Sequence, residues 1–103
     1  YPFVVLVTDG VSNESRSLLM IDGCIVREVD VVLNPDSNEI RYKWVYTKLR
    51  AWDIIGFERI VFLDADIVVV DNIDELFSRN LPEFAAVSDC WFVTAFWAIV
   101  FFL

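Results

Sequence analysis

Residues 59 to 72 read RIVFLDADIVVVDN, and they set two carboxylates, Asp64 and Asp66, inside a run that is otherwise apolar from Ile60 to Val70. Burying a carboxylate without a partner is costly. These acids must therefore meet a cation, meet N–H donors, or sit where a strand opens to solvent. β-Branched residues dominate both flanks, and the alternation of a one-faced strand is missing. Ile60 to Leu63 and Ile67 to Val70 thus read as buried strand on either side of the acids, in a parallel sheet covered on both faces.

The rest of the chain supplies the elements for such a sheet. Phe3 to Thr8 is an apolar run that ends at Asp9-Gly10, a strand followed by a turn. Ser12 or Asn13 can cap a helix of about ten residues that carries Leu18, Ile21 and Ile25 near one face and stops at Gly23. Arg27 to Leu33 reads as a second strand, closed by Asn34-Pro35-Asp36. Val45, Leu49, Trp52 and Ile55 form one apolar helical stripe ended by Gly56. Asn72-Ile73-Asp74-Glu75 resembles a capping box that opens a short helix through Phe77. Leu81-Pro82 breaks that helix, and Phe84 to Val87 begins another strand. Strands alternating with helices, with no hairpin signal, predict an α/β domain with a mainly parallel sheet.

The final stretch, FAAVSDCWFVTAFWAIVFFL from 84 to 103, has the length of a bilayer crossing, yet Asp89 interrupts it and no basic anchor follows. A divergent or truncated chain end is the preferred reading, ahead of buried core and, least favoured, a membrane segment. Residues 90–103 accordingly read as a hydrophobic tail.

Composition removes several kinds of chemistry. A formal net charge of −8 argues against sequence-independent nucleic-acid binding, which needs a basic surface. The chain has no histidine, which excludes Ser-His-Asp and Cys-His catalysis and His-ligated zinc. Cys24 and Cys90 form no CxxC and read as two buried free thiols, although a pairing is not excluded by sequence.

Side chains at i and i+2 of an extended segment point the same way, so Asp64 and Asp66 can approach one ion while Ala65 leaves room for a ligand. Oxygen ligands of this kind suit Mg²⁺ or Mn²⁺ completed by water and a phosphate. Two other readings fit the same letters. The acids can be solubilising charges at a strand end, or Asp64 and Asp66 can be the nucleophile and general acid of a haloacid-dehalogenase-like phosphatase.

Context favours a different family. WVYTKLRAW at 44 to 52, RIVFLDADIVVVDNIDELF at 59 to 77 and FAAV at 84 to 87, with the opening YPFVVLVTDGVS, together resemble glycosyltransferase family 8. These are the glycogenin-like retaining enzymes of the GT-A fold. The resemblance covers residues 1–89 and implies that they are a partial GT-A donor-binding domain, that is, an incomplete Rossmann-like nucleotide-diphospho-sugar transferase with a mainly parallel sheet. It implies that Asp64 and Asp66 hold Mn²⁺ (or Mg²⁺) on the diphosphate of a UDP-sugar, that Ala65 lies against the ribose, and that Lys48 approaches the donor as a catalytic group. On base rates alone Lys48 would be an ordinary exposed helix lysine. Arg41 is a weaker diphosphate candidate, and Asp36 and Glu39 read as solvated loop charges.

The implied reaction moves a hexosyl group, glucosyl or related, from a UDP-sugar to a carbohydrate, protein or lipid acceptor, with a homodimer left open. The family's uracil-binding first strand would precede Tyr1, its third metal ligand is a histidine this chain lacks, and its acceptor residues would follow Asp89. The 103 residues alone are accordingly expected to be inactive. The non-catalytic alternative is an inactive fragment, or a metal- or partner-binding module of the same fold. Family members occur in the cytosol and in the secretory pathway, with the Golgi slightly favoured.

Overall fold

The computed structural model describes residues 1–36, 38, 40–78, 84–88 and 96–102; for residues 41, 87, 88 and 96–102 it describes the backbone alone. The predicted Leu81-Pro82 break, Glu39, Asp89 and Cys90 lie outside these residues, as does the Arg41 side chain. The chain forms two compact units, Tyr1–Asp53 and Ile54–Leu103.

The first unit opens with a β-α-β crossover. Strand β1 (Val4–Val7) pairs in parallel with β2 (Ile25–Glu28), in the register Val4↔Ile25 to Val7↔Glu28. Helix α1 (Asn13–Ile21) joins them and packs on β2. Ser12 caps α1: its backbone is extended and its Oγ accepts the Ser15 N–H at 3.2 Å, satisfying a donor that has no partner inside the helix. The other end is a Schellman motif, with Cys24 N–H on Leu19 C=O, Gly23 N–H on Met20 C=O, and Gly23 at φ +88°. Gly23 thus stops the helix as the sequence predicts. Ile25, expected on the helix, instead begins β2, because the Schellman turn reverses the chain before it.

The second strand is accordingly earlier and shorter than Arg27 to Leu33. Asn34-Pro35-Asp36 does turn, with Asn34 Oδ1 accepting the Asp36 N–H at 3.1 Å. Val45–Asp53 is helical over nine residues, but it is wound as a 3₁₀ helix. At three residues per turn, Val45, Lys48 and Ala51 share a face, and Ala51, 1% exposed, is the buried contact. Leu49 and Trp52 fall in a second row, about 120° from Val45, and all three stay partly in water; Ile55 lies beyond the helix end and is 92% exposed. With Ala51, Val7 (3% exposed) is the buried apolar core among the described residues.

The second unit holds a three-stranded sheet of β3 (Arg59–Leu63), β4 (Phe84–Ser88) and β5 (Phe96–Phe102), in the order β3-β5-β4. Both pairings are antiparallel, with Arg59↔Phe102 through Leu63↔Ala98 on one side of β5. The fold is α/β, with its parallel pair in the first unit and this antiparallel sheet in the second. The antiparallel pairing comes from β5, which falls in the apolar tail, where no turn residue marked a hairpin. A 3₁₀ turn, Asp74–Phe77, lies against β3. Among the described residues, no helix is long and apolar enough to cross a membrane.

Candidate functional site

Strand β3 is half-buried along its whole length and ends at Leu63, so Asp64 is the first residue beyond its carboxyl end. The backbone then turns. Ile67 N–H donates to the Asp64 carbonyl at 3.1 Å, closing a β-turn over Asp64, Ala65, Asp66 and Ile67. Asp64 is half-buried, while Ala65 and Asp66 at the tip are exposed.

This corrects the extended i, i+2 geometry expected of the two acids: a turn, not the strand pleat, presents them. Ile67 to Val70 is likewise not a strand. Val68 and Val70 are 81% and 92% exposed, and the strand stops where its ladder with β5 stops. The turn resolves the cost of burial by lifting Ala65 and Asp66 into solvent.

The loop after it is built from its own acids. Asp71 Oδ1 accepts the Asn72 N–H, and Asn72 Oδ1 accepts the Asp74 N–H, both at 2.7 Å. Asn72 thus closes an Asx turn just ahead of the 3₁₀ turn, but the cap residue is Ile73 and not Asn72 as expected, and the bond to the Asn72 N–H comes from Asp71, not from Glu75 as a capping box requires. At the far end Arg59 Nη1 donates to the Leu76 carbonyl at 3.3 Å and to the Ser78 carbonyl. The first residue of β3 thereby holds the end of the acidic loop. No Lys or Arg lies between Ile60 and Ser78, whereas Asp64, Asp66, Asp71, Asp74 and Glu75 do.

The donor set at the turn fits a hard divalent cation. Mg²⁺ is commonly held by one or two carboxylates and completes its shell with water and phosphate oxygens. Among the described residues there is no group of three or more His, Cys, Asp or Glu side chains able to share an ion. An ion here would have Asp64 and Asp66 as its candidate side-chain ligands, with water and phosphate oxygens completing the shell.

Lys48 belongs to the first unit, half-buried on the 3₁₀ helix Val45–Asp53. Asp36 is exposed, as a solvated charge should be, and Cys24 is a free, half-buried thiol. Sequence reasoning passed over Arg16. Its Nε and Nη2 donate to the Val11 and Thr8 carbonyls at 2.9 and 2.8 Å, and its Nη1 pairs with Glu28. One side chain thus shapes the loop beyond the carboxyl end of β1 and ties it to β2. A pairing over such a separation leaves no periodic trace in sequence.

Comparison with known proteins bears out the family resemblance. A family model described as glycosyl transferase family 8 matches residues 4–99, which reaches past Asp89 into β5. Galactinol synthase 4 of Arabidopsis thaliana is 41% identical over 96 residues, covering 88% of this chain and 28% of that protein. Galactinol synthase 2 of Ajuga reptans is 39% identical over 95 residues, covering 88% and 32%. Galactinol synthase 2 of Solanum lycopersicum is 41% identical over 96 residues, covering 88% and 28%. The chain spans less than a third of the length of these curated relatives. With the acids beyond the end of β3 and the match running over most of its residues, this chain belongs to glycosyl transferase family 8.

Proposed function

We propose that this chain carries part of the donor site of a metal-dependent retaining glycosyltransferase that moves a hexosyl group from a UDP-sugar to an acceptor. The observation that carries this reading is the Asp64-Ala65-Asp66 turn, exposed at its tip just beyond β3, in a chain of this family. The relatives' names make galactinol the first product to look for.

In this reading the two carboxylates hold Mn²⁺ or Mg²⁺. The ion, when bound, offsets negative charge on the diphosphate leaving group. Ala65, with no side chain beyond Cβ, leaves space for the ribose. Lys48 contributes a second positive charge to the departing diphosphate, a stabilisation that requires no histidine base. The 103 residues by themselves are expected to bind the donor weakly and not to turn it over, because the histidine ligand implied by the family resemblance is not among them.

The test is calorimetric titration of UDP into the chain with and without Mn²⁺, beside an Asp64→Asn, Asp66→Asn double variant. Binding that needs the metal and vanishes in the variant is the expected result. UDP binding that ignores the metal, or survives both substitutions, overturns the assignment. A folded chain that binds no UDP leaves the non-catalytic alternative in its place.

A further inference from the structure

The winding of Val45–Asp53 sets Val45 apart from Leu49 and Trp52, which its apolar spacing would join to it on an α-helix. 3₁₀ runs longer than three or four residues are uncommon, because their hydrogen bonds are poorer and side chains eclipse at every third position. This one runs for nine residues. Val45, Leu49 and Trp52 carry the spacing of an α-helical stripe, yet the observed winding leaves all three partly exposed.

The eclipsed row explains what holds the helix this way. Thr47 Oγ1 accepts the Val32 N–H at 3.1 Å and donates to the Val32 carbonyl at 3.4 Å. One turn on, Arg50 Nε donates to the Asp30 carbonyl at 3.2 Å, and its Nη1 pairs with Asp53, a further turn on, at 3.0 Å. Residues 30–32 lie outside any strand, so these side chains supply partners to peptide groups that have no ladder. Positions 47, 50 and 53 form a straight row only at three residues per turn. On α winding the row fans out by about 120° from end to end, while Val45 comes to lie within about 40° of both Leu49 and Trp52.

We propose that Val45–Asp53 is a two-state helix, held in the 3₁₀ form by the latch of Thr47 and Arg50 on residues 30 and 32, and rewinding to an α-helix when that latch is released. Rewinding shortens the nine residues from about 18 Å to about 13.5 Å and turns Lys48 by about 60° relative to Val45. If the donor-site reading above holds, an anionic ligand that meets Lys48 better in one winding shifts the helix toward it; the two-state helix itself does not depend on that reading.

The test uses the whole 103-residue chain, labelled for NMR. Backbone contacts spaced two residues apart mark the 3₁₀ form, and contacts spaced four apart mark the α form. Thr47→Ser, which keeps the hydroxyl, is expected to stay 3₁₀. The Thr47→Val, Arg50→Gln double variant is expected to switch to the α pattern over 45–53 while the Val5–Val26 pairing between β1 and β2 persists. A double variant that stays 3₁₀ overturns the proposal. So does one that loses the Val5–Val26 pairing, since the contacts would then simply hold the fold. A UDP and Mg²⁺ titration separates the second question: shifts at the Ala65 and Asp66 amides with an unchanged helix refute coupling to the ligand, and no shifts at those amides count against the donor site alone.

Discussion

At the scale of single residues, three side chains carry separable tasks. Ser12 satisfies the amino end of α1, so Ser12→Ala is expected to lower stability by about 1 kcal/mol in urea unfolding. Arg16 serves two carbonyls and one carboxylate, whereas among the described residues Glu28 pairs with Arg16 alone, from a largely solvated position. Arg16→Gln should therefore cost about 1–2 kcal/mol, and Glu28→Gln roughly 0.5 kcal/mol, since an exposed ion pair is worth little. Equal losses from the two would show that the ion pair, not the carbonyl bonds, shapes the loop after β1. At the turn, Asp64→Asn and Asp66→Asn taken singly should each weaken Mn²⁺-dependent UDP binding about tenfold or more, the size of one lost contact to a charged group. Asp66, at the solvent-exposed tip, can be replaced with little effect on folding, so its substitution gives the cleaner calorimetric reading.

At the scale of elements, Gly23 shows how a single position ends a helix. A Cβ there would touch nothing within 4 Å, so the cost of Gly23→Ala is the left-handed backbone itself, about 1 kcal/mol, read as lost stability and lost amide protection at the end of α1. Signals of this local kind are what the sequence made legible: the Ser12 cap, the Gly23 stop, the turn after β1, and a strand that delivers Asp64 at its end. Elements set by distant partners were not legible. The 3₁₀ winding of Val45–Asp53 goes with hydrogen bonds to residues 30 and 32, which no helical periodicity encodes. Ile67 to Val70 has the composition of a strand, but β3's ladder to β5 ends at Leu63, and apolar composition alone does not supply a pairing partner. The uniform apolar tail could not say whether it was strand, core or membrane segment, because periodicity is the signal and it had none.

At the scale of the whole molecule, charge decides what a nucleotide meets. Sixteen acids against eight basic residues give a net charge of −8, which repels a diphosphate unless a cation intervenes. Chelation with EDTA is therefore expected to abolish UDP binding while changing the weak binding of uncharged uridine little; equal loss of both would mean that the metal holds the fold and not the phosphates. The sheet of the second unit carries a different consequence. Its central strand, β5, is the last of the three in the chain, and β3 and β4 are paired only through it. On a ribosome β3 emerges first and waits, its apolar edge open, until residues 96–102 arrive to be flanked on both sides. Any chain released before that point leaves two strands that other chains can pair with, so translational pausing or cleavage ahead of Phe96 favours aggregation over a smaller folded product. The turn bearing Asp64 and Asp66 is thus translated early and anchored late.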